Sequence, residues 1–455
     1  MTANDFVVSA DGHIVEPTDL FRTRLPKHLR DRGFWEEDFE IEPLVEGGVR
    51  DFARVRTPGF EGWTVSRYRH FDGTAHTGDP RRMLDDMDLD GVDAQLMHPN
   101  RSLFALYSDD HELSIAHARV YNDYVVERYT PYLGRIAPTA PIPLTDVGDA
   151  VAEIERVTAA GFRVLLLPAV SPIPYWSPEL EPVWAAARAN DAHVFFHCAT
   201  GGVKVGDAES PTLKTVRSMA DELNLPMDSR LASKRMMTQC VYNTINPQQI
   251  IIELIGGGVP ERYPELHFGL IEFNAHWLAS LVGAMDKAWV TGIGQDADWW
   301  LGYWDETRAA NDQPQMARMF DVNGKWPYPL RPSEYVRRQF HVSFQDDPVA
   351  VAARHITGVS TIVWGSDYPH AEGTFRGSRQ LIAQAPTRQD PGTSASTAQD
   401  QPNASPKIRA CQKIRSRTRA SGPAPGSALS RPARSCREAA RCHDQHKLTQ
   451  LMSGR

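Results

Sequence analysis

Three neighbouring stretches decide the fold: Phe162-Arg163-Val164-Leu165-Leu166-Leu167, then Glu179-Leu180-Glu181-Pro182-Val183-Trp184-Ala185-Ala186-Ala187-Arg188-Ala189, then His193-Val194-Phe195-Phe196. The first and third are short, nearly continuous apolar runs, the pattern of strands buried on both faces. The middle stretch has the length and alanine content of a helix. Strands of this kind alternating with helices give a parallel sheet covered on both sides. Working outward, similar runs occur at Phe6–Ser9, Val92–Met97, Arg135–Ile142, Leu266–Ile271, Phe340–Phe344 and Thr361–Trp364, with helix-period segments at His111–Arg128 and Val147–Ala159. Prolines interrupt the Arg135–Ile142 run. Eight strands predict an α/β fold of the (β/α)8 TIM-barrel type. The alternative is an open doubly wound sheet, and no GxGxxG follows the first strand to support its dinucleotide-binding form.

The expected barrel unit is residues 1–383, with one insertion at 14–80, after strand 1, and another at 290–335, before strand 7. The first should contain a hairpin around Gly47-Gly48; the second carries Trp299, Trp300, Trp304 and Trp326, which suit a lid, a local core or a dimer interface. Composition limits the function classes. Of 455 residues, 41% are hydrophobic and 23% charged, which excludes a collagen-like or wholly disordered chain. No apolar run reaches the roughly 18 residues a membrane helix needs, so no membrane partner is expected. The start, Met1 to Asp5, lacks a basic flank and apolar core, so no secretory leader is expected. Cys198, Cys240, Cys411, Cys436 and Cys442 show no CxxC spacing, which argues against a disulfide framework or cysteine zinc site and for a reducing cytoplasm.

The net charge of −8 is unevenly distributed. Residues 384–455 hold 13 Lys/Arg against 4 Asp/Glu, a local +9, which leaves −17 on residues 1–383. All 41 aromatic residues lie at or before Phe375. A basic, aromatic-free segment cannot bury enough apolar surface to order itself, so a disordered tail is expected. The acidic body argues against nucleic acid as the main partner.

In a TIM barrel, chemistry sits at the C-terminal ends of the strands. Those ends carry Asp11-Gly12-His13 on strand 1, His98 on strand 2, His197 on strand 5, Glu272 with Asn274 and His276 on strand 6, and Gly365-Ser366-Asp367 on strand 8. Side chains two apart on a strand share a face, so Asp11 and His13 point the same way. Imidazoles and carboxylates are ligands for a divalent metal: zinc first, with manganese or iron as alternatives. Asp11, His13, His197 and Asp367 are the candidate ligands. Strand 4 ends in Leu167-Pro168-Ala169-Val170, with no Lys to form a carbamate bridge, which favours one metal over two. Asp367, His98 and His370 are candidate proton carriers, and Arg101 is a candidate partner for a substrate carboxylate.

The stretches Asp11-Gly12-His13-Ile14-Val15-Glu16-Pro17, Phe196-His197, Pro332-Ser333-Glu334-Tyr335 and Gly365-Ser366-Asp367-Tyr368-Pro369-His370 together resemble the amidohydrolase superfamily. The nearest branch contains aminocarboxymuconate-semialdehyde decarboxylase and the amidohydrolase-related proteins. Tyr121-Asn122-Asp123 and Glu261-Arg262-Tyr263-Pro264-Glu265-Leu266 add to the resemblance, which spans roughly residues 5–382. It implies a metal-bearing barrel in which His13 and His197 are ligands and Asp367 is ligand or base. Asp11 takes the place of the first His in the superfamily's His-x-His, and Glu272 stands where many members have His. The branch implies non-oxidative decarboxylation of a small aromatic or unsaturated carboxylate. The alternative is metal-dependent hydrolysis of a C–N, C–O or C–C bond, and a third reading is an inactive product with a displaced C-terminus. A small-molecule substrate and a homodimer are expected.

Overall fold

The computed structural model describes residues 5–39, 52–55, 64–66, 68–106, 110–201, 229–289, 326–370 and 372–383. The barrel strands are β1 (Val8–Ser9), β6 (Ala94–Pro99), β7 (Ile136–Pro141), β8 (Val164–Val170), β9 (His193–Gly201), β10 (Phe268–Ile271), β11 (Phe340–Phe344) and β12 (Ile362–Trp364), hydrogen-bonded in that order. A short β2 (His13–Ile14) continues β1 and also pairs with β6. All these pairings are parallel. The ends of the sheet meet where the Ala10 N–H donates to the Trp364 carbonyl at 2.9 Å and Gly12 bridges Tyr368. This is the (β/α)8 barrel, and each of the eight predicted runs supplies one of its strands.

Four of the helices start on aspartates whose carboxylates accept a first-turn N–H: Asp79 before Pro80–Asp90, Asp110 before His111–Tyr129, Asp146 before Val147–Ala159 and Asp347 before Pro348–Thr357. The helix after β8 runs Glu181–Ala189 behind a 3-10 turn at Pro178–Leu180.

Two apolar layers follow from strand alternation. Leu165, Leu167, Val194 and Phe196 join the large cluster between strands and helices. Val164, Leu166, Phe195, Leu96 and Ile271 belong to a small cluster inside the barrel. Gly269 makes room for one of these: a Cβ there would stand 2.4 Å from the Phe195 ring.

Part of the segment 14–80 forms a three-stranded antiparallel sheet of β3 (Glu36–Phe39), β4 (Phe52–Val55) and β5 (Thr64–Ser66). Phe39 pairs with Phe52, so β3 and β4 bracket the expected hairpin, while Gly47-Gly48 themselves lie outside the described residues. Trp299, Trp300, Trp304 and the tail 384–455 also lie outside them. Trp326 packs edge-on to Tyr328 at 4.9 Å and donates to the Leu330 carbonyl, a local-core role. Among the described residues no helix is long and apolar enough to cross a membrane.

Candidate functional site

Strand parity decides which side chains enter the barrel mouth. Phe195 of β9 lies in the interior cluster, so His197, two residues on, faces inward as well. Leu96 does the same for His98 on β6. Asp11 and His13 stand on either side of Gly12, whose place is set by close approach: a Cβ there would sit 1.9 Å from Gln95 Nε2. Beneath them Gln95 donates to the Asp11 carbonyl and to Ser366 Oγ, each at 2.9 Å, and Ser9 Oγ donates to the Asp11 carbonyl at 2.7 Å. These bonds tie the end of β1 to the residue before Asp367.

His13 Nδ1 lies 3.1 Å from the Pro99 carbonyl and His197 Nδ1 2.9 Å from the Cys198 carbonyl. A carbonyl only accepts, so each Nδ1 carries the proton and each Nε2 presents a lone pair. Both Nε2 atoms are buried without a hydrogen-bond partner, as are both carboxylate oxygens of Asp11. Buried polar atoms are nearly always paired. Here they face one another: His13 Nε2 is 3.8 Å from Asp11 Oδ1 and 3.3 Å from Asp367 Oδ1, and His197 Nε2 is 3.8 Å from Asp11 Oδ1. All four residues are at most 1% exposed. Donor atoms of Asp11, His13 and His197 lie within 4.8 Å of one another, as do those of His13, Glu272, Asp367 and His370. Two imidazole lone pairs beside carboxylates, aimed at one point, fit a divalent cation.

Burial and the nearby His370 lower the His13 pKa to about 4, so its ring is neutral. For Asp367, burial works towards a higher pKa, but His370 and His13 more than offset it and hold the carboxyl below the usual range. Asp367 Oδ2 also accepts from Gln345 Nε2 at 3.0 Å. His370 Nδ1 lies 3.0 Å from Asp367 Oδ1. Burial opposes the charge on His370, yet Asp367 raises its pKa to about 9. The His370 ring is stacked between His13 at 4.0 Å and Tyr68 at 4.9 Å. Tyr68 arrives on a short hairpin in which Arg69 pairs with Ala75, so this part of segment 14–80 lies against His370.

Glu272 is the residue that sequence reasoning left without a role. Its Oε2 lies 3.2 Å from His197 Nε2, and burial, followed by the charges of Asp367 and Asp11, pushes its pKa well up. Glu272 and Asp367 both have left-handed backbones, with φ of 62° and 57°. Side chains rarely accept that conformation, and such positions concentrate at functional sites. Ser343 Oγ holds the Glu272 N–H at 2.7 Å and the Asp11 carbonyl holds the Asp367 N–H at 3.0 Å. His276 goes elsewhere: it is 42% exposed, with Nδ1 3.1 Å from Asp347 Oδ2.

The other two sequence candidates, His98 and Arg101, are held by protein partners. His98 lies behind the His197 ring at 5.0 Å, with Nε2 3.3 Å from the Ala10 carbonyl and Nδ1 3.3 Å from Thr139 Oγ1. Burial, then His197 and His13, drive its pKa well down. Arg101 is buried; its Nη1 donates to the Glu16 carbonyl and its Nη2 to Glu36 Oε1, both at 2.6 Å. It lines a cavity of about 290 Å³ together with Tyr68, His76 and Glu16. Gln345, Tyr68 and the Ser9–Gln95–Ser366 bonds were not among the sequence candidates. The one available signal was a polar Gln95 inside the apolar run Val92–Met97.

Among solved structures, an amidohydrolase from Mycobacterium avium subsp. paratuberculosis K-10 is 20% identical, with a TM-score of 0.54 over 81% of this chain and 90% of that one. The apo IDCase of Metarhizium anisopliae is 14% identical, with a TM-score of 0.51 over 86% of this chain and 88% of that one. A 2,6-dihydroxybenzoate decarboxylase from Rhizobium is 16% identical, with a TM-score of 0.46 over 80% and 88%. No curated protein sequence matches the chain. The family model described as amidohydrolase matches residues 69–399, well over half of the 455 residues and including the strand ends that carry His98, His197, Glu272 and Asp367. The chain therefore belongs to the amidohydrolase family.

Proposed function

We propose that this protein is a metal-dependent, non-oxidative decarboxylase of a small aromatic or unsaturated carboxylate. The observation that carries the metal is the set of four buried, unpartnered polar atoms on Asp11, His13 and His197, with Asp367 Oδ1 3.3 Å from His13 Nε2. The choice of reaction rests on the sequence resemblance to the branch that contains aminocarboxymuconate-semialdehyde decarboxylase. Asp11, His13, His197 and Asp367 would hold one divalent ion, zinc first and manganese or iron as alternatives.

When bound, such an ion would supply Lewis-acid stabilisation of negative charge on the substrate. Asp367 and His370 hold a proton between Oδ1 and Nδ1, 3.0 Å apart, and deliver it to the substrate carbon that carries the carboxylate. The C–C bond then breaks, its electron pair stays with the ring and CO₂ leaves. Gln345 fixes the other oxygen of Asp367 during the transfer. Tyr68, stacked on His370, excludes water from that side. His98 positions the His197 ring, and Arg101 braces the wall through Glu16 and Glu36.

The test is metal analysis after dialysis, with about one equivalent expected, followed by a panel of aromatic carboxylates scored for CO₂ release. Uptake of ¹⁸O from labelled water without CO₂ would move the assignment to hydrolysis. Retention of no metal and turnover of nothing would leave the inactive-product reading.

A further inference from the structure

Behind the site, four buried side chains form a hydrogen-bonded cluster that the proposed chemistry does not use. Asp86, on the helix Pro80–Asp90, accepts three bonds at 2.7 Å each: from the Tyr368 hydroxyl and His70 Nδ1 at Oδ2, and from the Phe71 N–H at Oδ1. The Tyr368 hydroxyl, having donated to Asp86, accepts from His76 Nε2 at 2.8 Å. His76 Nδ1 then accepts from the Gly78 N–H at 3.2 Å, so one assignment of donors and acceptors runs from Gly78 through His76 and Tyr368 to Asp86. Asp86, His70, His76 and Tyr368 are all at most 9% exposed.

The far end of Tyr368 reaches the proposed ligands. Its carbonyl accepts the His13 N–H at 2.6 Å, its residue follows Asp367 directly, and Asp367 in turn donates to the Asp11 carbonyl. The hairpin that places Tyr68 over His370 is pinned to the same carboxylate through His70 and Phe71. Helix, hairpin and ligand-bearing turn thus meet at one carboxylate.

We propose that Asp86 and the Tyr368 hydroxyl form a positioning pair that sets the spacing of His13 and Asp367 and seats the Tyr68 hairpin over His370. The proposal rests on the metal-dependent reading above. Three donors on one buried carboxylate leave it no rotational freedom, so the hydroxyl at the other end is fixed in direction as well as distance.

The test uses the full-length chain loaded with cobalt(II), whose visible d–d absorption reports ligand geometry. Tyr368→Phe keeps the ring and removes the hydroxyl. It should shift the d–d bands, weaken cobalt affinity about tenfold, as loss of a group that orients ligands does, and lower kcat more than it raises KM. Phe375→Leu is the packing control, because the Phe375 ring packs edge-on to the Tyr368 ring, 4.7 Å between centroids, and has no polar atom to bond the hydroxyl. It should lower Tm and leave the cobalt bands unchanged. Should Tyr368→Phe not fold, His76→Leu removes the donor to the same hydroxyl and should move the bands in a smaller measure. The proposal is overturned if the bands of the hydroxyl variants match wild type, or if Phe375→Leu shifts them equally. Wild-type protein that takes up no cobalt overturns the metal reading itself, a distinct outcome.

Discussion

Chelation should destabilise this protein, and removing His197 should abolish that effect. Asp11 and Asp367 are 1% and 0% exposed, and their oxygens face two imidazole lone pairs. Without a cation, the Asp11 carboxylate has no donor at either oxygen and shares its pocket with the charge of Asp367, and a cation binds only the folded arrangement. Stabilisation by such a ligand is about 2.7 kcal/mol when its free concentration is 100 times Kd. One kcal/mol moves Tm by roughly 2–4 °C in a domain of about 200 residues, and by less in a longer one. Dialysis against a chelator should therefore lower the wild-type Tm by several degrees, and zinc or manganese should restore it. In His197→Ala a donor is gone, metal content after dialysis should fall towards zero, and Tm should respond little to chelator or added metal. Differential scanning calorimetry with and without chelator, with metal content measured on the same samples, gives both quantities. If chelator leaves wild type unmoved, or if His197→Ala holds metal and responds as wild type does, the four residues are not a metal centre.

Further outcomes follow from other positions. Asp367→Asn keeps the shape of the turn and removes a charge and a base; turnover should fall on the order of 10²-fold or more, and near-normal turnover in a steady-state assay would remove Asp367 from the chemistry. Gly12→Ala puts a methyl where Gln95 Nε2 is 1.9 Å away, so overpacking should cost about 1–3 kcal/mol in denaturant unfolding; an unchanged midpoint would show that Gln95 moves aside freely. His117 is buried against Phe21, accepts the Phe34 N–H at Nε2, and has its pKa lowered to about 3 by that burial. The unfolded chain binds its proton near pH 6.5 and the folded chain does not, so this contribution is complete above pH 6.5 and is lost as pH falls towards 3, by up to about 1.4 kcal/mol per pH unit. His117→Gln should flatten the acid limb of stability against pH, and an identical slope would refute the assignment.

The barrel was readable because its strands are buried on both faces. A run such as Val164 to Leu167 must be apolar at every position, and that is visible without any partner in view. Candidate ligands were readable for a related reason: polar residues that end such runs have little to do in a core. The rest depended on contacts between distant residues. Gly12 stood in the sequence only as the residue between Asp11 and His13, whereas a neighbouring strand's Gln95 fills its Cβ space. Arg101 read as free to meet a substrate, whereas Glu16 and Glu36, 85 and 65 residues away, take up its Nη atoms. Glu272 read as a missing histidine, and its left-handed backbone beside His197 is a product of the closed barrel. Asp86 carried no signal at all, being one acid among several in an amphipathic helix. Its three donors come from residues 70, 71 and 368, so its meaning exists only after the chain has closed on itself. Residues at strand ends announce chemistry in the sequence; residues that hold those ends in place are defined by the fold, and there the structure adds most.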